Sequence, residues 1–422
     1  MFGTIENILN NQLSNSLFYT CLYTFICGSL GFLFLIFINK ADYKLLRKLF
    51  SVPARKSTPD AIQLGGLPLS FAMISGTALS LFLLTDTFTA LDKSIFTYWF
   101  FASLIVVAYG HLDDKYELRP IVKLCMQVSS VFLFSLPVSQ IIYPTWSAVS
   151  FLVLGFWGMG SLNGGNLLDG LDTLTIKLGS VSMLAFLALG FLFDVGAVMS
   201  TSLIGLSGLL SFYIFNKEPA KIHLGEIGGS FIGFFSLLNS CLLFMRLQNT
   251  DMHLSKSITI SLLPLCLPLV ELGVSFMRRI YNRKSPFKGD KYHLHHILSN
   301  YYKYTPSSAS SIFALGYASI IFAGISLINV SNHFESFLFV NMTMVTSYIF
   351  VGRKHWKGQN TISLNPTSLF QYLRKKDVAV INSLEFDEFK IEIISESEMY
   401  EDEFKDLEYP EHQDDQTHKK AA

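Results

Sequence analysis

Long apolar runs, broken by short polar clusters, fill the chain from its start to about residue 350. A membrane crossing needs about 17 to 25 mostly apolar residues. On that measure the runs predict helices near 17–39, 64–85, 95–110, 121–137, 146–161, 178–193, 197–215, 228–246, 257–277, 308–328 and 335–351. Only Asp194 and Gly196 mark the turn between the sixth and seventh. The expectation is an all-α, polytopic bundle of about eleven spans over residues 1–351, followed by a polar segment, 352–422.

Composition agrees with a bilayer environment. Of the 422 residues 50% are hydrophobic and 15% charged, where a soluble domain carries about 25% charged. The first apolar run has neither a basic segment before it nor a small-residue cleavage site, so it is expected to be a retained span rather than a signal peptide. Five cysteines lie scattered in apolar runs without C-x-x-C pairing, which points to neither a disulfide framework nor a zinc site.

The net charge of zero conceals a split. Residues 1–384 hold 28 Lys and Arg against 18 Asp and Glu, and residues 385–422 hold 4 against 14. The acidic end is expected to be a solvated, partly disordered cytoplasmic tail. Basic residues also orient the spans. Lys40, Lys44, Arg47, Lys48, Arg55 and Lys56 follow the first run, and Arg278, Arg279, Arg283, Lys284, Lys288, Lys291 and Lys303 follow the ninth. The positive-inside rule puts both loops in the cytoplasm.

With that parity, His111 to Pro120, Asn163 to Thr173, Asn216 to Gly229 and Lys284 to His296 all fall on the cytoplasmic face. One site assembled from several loops is the economical reading. Asp113 and Asp114 are adjacent carboxylates, which suggests a shared cation, a basic substrate group or proton transfer; a hydrated helix cap is the plainer alternative. Asn163, Asn166, Asp169 and Asp172 recur every third residue, and such a ladder can coordinate Mg²⁺ or accept hydrogen bonds from ribose or base. Asn216, Lys217 and Glu218 lead to His223, Gly225 and Glu226 at a helix start that favours phosphate oxygens, or that is simply capped. Asp290, Lys291, His293, His295 and His296 suit phosphate better than zinc; a basic loop touching anionic lipid would account for the lysines but not for three histidines.

These motifs resemble, in order and spacing, those of the bacterial polyprenyl-phosphate N-acetylhexosamine-1-phosphate transferases of glycosyltransferase family 4, nearest the WecA/TagO group and more distantly MraY. They are Gly65-Gly66, DDKYELRP with Lys123, NGGNLLDGLD, FNKEPAKIHLGEIGG and SPFKGDKYHLHH, within residues 17–350. The resemblance implies an inner-membrane enzyme that moves a sugar-1-phosphate from a UDP-amino sugar to undecaprenyl phosphate, releasing UMP and initiating a cell-surface glycan. It implies Mg²⁺, with Mn²⁺ as the alternative ion, held by Asn166 and Glu226. Asp113 and Asp114 would handle the metal or the lipid phosphate. Asp169, Asp172 and Asn216 would face the nucleoside, with Asn163 beside them. Lys123, Lys291, His293, His295 and His296 would hold phosphates or sugar. Membrane lipid is an expected partner, nucleic acid is not, and a homodimer is compatible.

Four positions depart from the family pattern. Glu226 replaces Asp and Gly229 replaces Ser in Gly-Asp-x-Gly-Ser, His223 replaces an aromatic Phe, and Gln63 replaces a basic residue. These departures leave open a degenerate member that binds lipid phosphate without catalysis. A transporter is the third reading, and the acids at span ends rather than at mid-bilayer argue against it.

Overall fold

The computed structural model describes residues 11–40, 61–142, 144–248, 252–284, 290, 292–328 and 333–356. All lie in one compact unit, Met1–Ile362. The acidic tail, the basic run 44–56 and Lys291 lie outside the described residues.

Eleven helices among these residues are long and apolar enough to cross a membrane. The helices are α1 (Asn11–Lys40), α2 (Gly66–Leu83), α3 (Ala90–Tyr116), α4 (Pro120–Ile142), α5 (Ser147–Leu167), α6 (Leu174–Phe193), α7 (Gly196–Asn216) and α8 (Gly225–Gln248). They continue with α9 (Leu254–Leu262), α10 (Cys266–Tyr281), the short α11 (Leu294–Asn300), α12 (Pro306–Leu327) and α13 (His333–Trp356). The apolar-run reading is thus borne out, with one refinement. The ninth span is α9 and α10 joined by a 3₁₀ turn at Leu263–Leu265, with Pro264 in that turn and Pro268 in the first turn of α10 each removing a backbone donor.

α8 is the central pole: 94% of its apolar window is buried inside the protein, against 28% for α1. Small residues make this approach available. A Cβ on Gly233 would lie 2.0 Å from the Ser161 carbonyl of α5, so no larger residue fits between α5 and α8.

α3 runs antiparallel to α8 and is clasped to it at three levels. Thr89 and Asp92 form a capping box at the start of α3, and the same Asp92 carboxylate accepts from Arg246 at the end of α8, 2.8 Å away. Midway, the Trp99 indole N–H donates to the Phe234 carbonyl at 3.0 Å. At the far end Asp114 of α3 accepts from the Glu226 backbone N–H of α8. These clasps set the register that brings the acidic end of α3 to the start of α8.

A short parallel pairing closes the same face. Ile62 pairs with Ile222, the Gly65 N–H donates to the His223 carbonyl and the Gly66 N–H donates to the Leu224 carbonyl, both at 2.8 Å. The Gly65-Gly66 motif therefore serves the backbone: a Cβ on Gly66 would lie 2.3 Å from the Gly228 nitrogen.

Candidate active site

The site forms where the ends of α3, α5 and α7 meet the starts of α4 and α8. α3 ends at Glu117, whose left-handed backbone (φ 48°) turns the chain, and Pro120 opens α4 three residues later. Lys123, in the first turn of α4, then points back at α3. Its Nζ lies 3.3 Å from Asp113 Oδ2 and 2.7 Å from Glu226 Oε1. One ammonium thus bridges two carboxylates from two other helices, each side chain less than a quarter exposed.

The adjacent acids have separate tasks. Asp113 Oδ1 accepts from the Leu118 N–H at 3.0 Å, leaving Oδ2 for Lys123. Both oxygens of Asp114 accept from the Glu226 N–H, at 2.8 and 3.0 Å, which caps α8 and holds Glu226 in its first turn. Gly225 makes this possible: its φ is +69°, and a Cβ there would sit 2.5 Å from Asp114 Oδ2.

The Asn166 side chain lies near Glu226 and favours its charged form. Ser230, one turn further along α8, points its hydroxyl at Glu226 Oε1 at 3.4 Å. The missing Ser at 229 therefore has a physical reason, because Gly229 lies against the Asn166 backbone, where a Cβ would be 2.9 Å from its Cα. The longer Glu side chain meets its hydroxyl at position 230 instead.

The four residues of the 163–172 ladder do not share one face. Asn163 and Asn166 end α5, and Asp169 and Asp172 lie in the turn before α6. Asn163 accepts from Gln127 at 3.1 Å and donates to the Met159 carbonyl. Asp169 accepts from the Thr175 hydroxyl at 3.1 Å. Asp172 accepts from the Ala220 N–H at 3.2 Å, with His223 Nδ1 3.6 Å from its other oxygen. Asn216 is buried between the Thr173 N–H and the Ile222 carbonyl, both at 2.8 Å, and so ties the 173 turn to the 217–224 loop. Gln63 is buried in the segment that pairs with that loop, its Nε2 without a hydrogen-bond partner among the described residues.

The histidines form a second cluster. His293 occupies the N-cap position of α11 and His295 is fully buried, its ring stacked on His293 at 5.6 Å between centroids and tilted against His296 at 4.3 Å. His295 lies against the turn that contains Asp169 and Asp172: a Cβ on Gly170 would meet its Nε2. Burial, with His296 and His293 beside it, pushes the His295 imidazolium pKa well below the usual histidine range. Asp290 is gripped by Arg278, with oxygen–nitrogen distances of 2.8 and 2.9 Å, and by Arg279 at 3.0 Å. Burial alone would raise its pKa; the two guanidiniums outweigh that and hold the carboxyl well below the usual range.

Among the described residues no three His, Cys, Asp or Glu side chains converge as a ready metal cage. Mg²⁺ is characteristically held by one or two carboxylates, with waters and substrate phosphates completing its octahedron. Glu226 with Asn166, and Asp113 beside them, is a hard-oxygen set of that kind.

A family model, glycosyl transferase family 4, matches residues 96–243, which hold Asp113, Asp114, Lys123, Asn166 and Glu226. The chain is 28% identical over 266 residues to a Bacillus subtilis probable undecaprenyl-phosphate N-acetylglucosaminyl 1-phosphate transferase, covering 58% of this chain and 68% of the relative. It is 27% identical to the Thermotoga maritima undecaprenyl-phosphate alpha-N-acetylglucosaminyl 1-phosphate transferase, over 48% of this chain and 61% of that one. A phospho-N-acetylmuramoyl-pentapeptide-transferase of Listeria monocytogenes is 29% identical over 40% of this chain and 58% of its own length. By the family model and by these relatives, the stretch 96–243, which carries Asp113, Asp114, Lys123, Asn166 and Glu226, is similar to glycosyl transferase family 4.

Proposed function

We propose that the protein is a phosphotransferase that moves a sugar-1-phosphate, of the N-acetylhexosamine class, from a UDP-sugar to undecaprenyl phosphate and releases UMP. The observation that carries this reading is the Asp113–Lys123–Glu226 bridge with Asn166, set at the ends of spans where a lipid phosphate and a soluble nucleotide can meet. The names of the relatives support the acceptor and the sugar class.

In the step, an oxygen of the lipid phosphate attacks the phosphorus that carries the sugar. The bond from that phosphorus to the bridging oxygen breaks, and UMP departs with the bridging oxygen. A phosphate monoester has its second pKa near about 6, so the nucleophile is already largely ionised at neutral pH and needs no general base. Asp114 holds the start of α8 and so sets the position of Glu226, while Lys123 supplies positive charge and aligns Asp113 with Glu226. Mg²⁺, held by Glu226 and Asn166 when bound, would offset charge on the pyrophosphate oxygens. The site faces the cytoplasm in this reading, where the positive-inside rule puts the loop after the ninth span.

The reading is tested with labelled UDP-N-acetylglucosamine and undecaprenyl phosphate in detergent. Label should move to the organic phase only when lipid and Mg²⁺ are both present. No transfer from any UDP-N-acetylhexosamine would refute it.

A further inference from the structure

Glu271 is the acid of the ninth span, fully buried in α10. Its Oε1 lies 2.6 Å from His293 Nδ1, and its Oε2 has no hydrogen-bond partner among the described residues. An ionisable group inside a span is costly and marks function more often than packing. Burial with one oxygen unsatisfied adds to that cost.

What Glu271 touches is a ring held from both edges by one helix. Glu271, Ser275 and Arg279 follow at i, i+4 and i+8 and line one stripe of α10. Ser275 Oγ lies 3.2 Å from His293 Nδ1, and Arg279 Nη2 lies 3.4 Å from His293 Nε2. Asp290 Oδ1 also faces Nε2, but at 3.8 Å, beyond hydrogen-bonding distance; a guanidinium has donors only, so the Arg279 contact takes Nε2 as acceptor and puts the ring proton on Nδ1, facing the carboxylate. The ring so fixed lies parallel to His295, at 10°, and His295 rests on Gly170 of the turn carrying Asp169 and Asp172.

We propose that Glu271 is a positioning residue: it fixes His293 as its neutral Nδ1–H form and, through the His293–His295 stack, sets His295 against the 169–172 turn. Carboxylates that orient metal-ligating imidazoles change affinity or activity about 10- to 100-fold when removed, and the same scale is expected for this pair. The kinetic part rests on the transferase reading; the tautomer does not.

The test uses the full chain, labelled with ¹⁵N-histidine, in lipid, with His293→Gln to identify the signal. In the wild type that signal must be the Nδ1–H tautomer; an Nε2–H ring or an imidazolium would overturn the proposal. Glu271→Ala should lose the tautomer preference and lower kcat about 10- to 100-fold, with KM for undecaprenyl phosphate unchanged. Glu271→Gln, which keeps an acceptor oxygen, should recover most of kcat. The double variant Glu271→Ala/His293→Ala should be no slower than His293→Ala. Multiplying effects, or an unchanged tautomer in Glu271→Ala, would overturn it. A wild type that releases no UMP would refute the transferase reading, while the spectrum would still decide the Glu271 link.

Discussion

Replacing Lys123 by Met removes one ammonium and leaves two carboxylates facing each other. At an effective dielectric of about 20, unit charges at the observed separations of 2.7 and 3.3 Å attract by roughly 6 and 5 kcal/mol before desolvation. The net loss on deleting one partner of such a buried pair is about 3–5 kcal/mol. Glu226, the more enclosed partner at 10% side-chain exposure, should account for most of it. The assay is a double-mutant cycle: thermal unfolding of the detergent-solubilised wild type, Lys123→Met, Glu226→Gln and the double variant. The single Lys123 change should be the most destabilising. Neutralising Glu226 in the same chain should restore part of the stability, with a coupling of about 2–3 kcal/mol, the upper part of the range for contacting residues. Effects that add within about 0.5 kcal/mol, as for residues that do not interact, would refute the bridge as the element that holds this site together.

Further outcomes follow from the same geometry. Gly225→Ala forces a Cβ onto Asp114 at φ +69°, so unfolding should come earlier by about 1–3 kcal/mol, with transfer lost in step; an unchanged melting curve would contradict the tight cap. Because the two arginines depress its pKa in the fold, Asp290 stabilises at every pH above the ordinary carboxylate range and loses that contribution only well below it. Asp290→Asn should therefore melt earlier by a constant margin from pH 8 to about pH 5, read by thermal shift across that series. His295 has the opposite chemistry with the same sign. Kept neutral in the fold, it stabilises above its unfolded pKa and costs stability as pH falls below about 6.5, by up to about 1.4 kcal/mol per pH unit. His295→Phe should flatten that slope, and a slope unchanged in the variant would assign it to other groups.

The spans were legible because each is an uninterrupted apolar run, and their parity already gathered the polar clusters on one face. The motifs located Asp113, Asp114, Lys123, Asn166 and Glu226. The division of labour was not legible. Nothing local marks Asp114 as the cap of a helix 112 residues away while Asp113 meets a lysine ten residues on. The even spacing of Asn163, Asn166, Asp169 and Asp172 reads as one ladder, but α5 ends at Leu167 and sends the last two into a turn. Glu271 leaves one mark in the sequence, a lone acid in an apolar run. Its partner His293 lies 22 residues away across a loop, so only the fold shows what the acid is for. Asp92 and Arg246 likewise read as unrelated charges at opposite span ends until α3 and α8 pack antiparallel.

The most direct measurement is UMP release by the purified full chain from a panel of UDP-sugars, with and without undecaprenyl phosphate, with Mg²⁺ present or chelated, beside Asp114→Asn and Lys123→Met. Release that requires both lipid and Mg²⁺, favours a UDP-N-acetylhexosamine and is lost in both variants is the expected result. A folded protein that binds undecaprenyl phosphate yet releases no UMP from any donor would contradict the account and leave a lipid-phosphate-binding protein without catalysis.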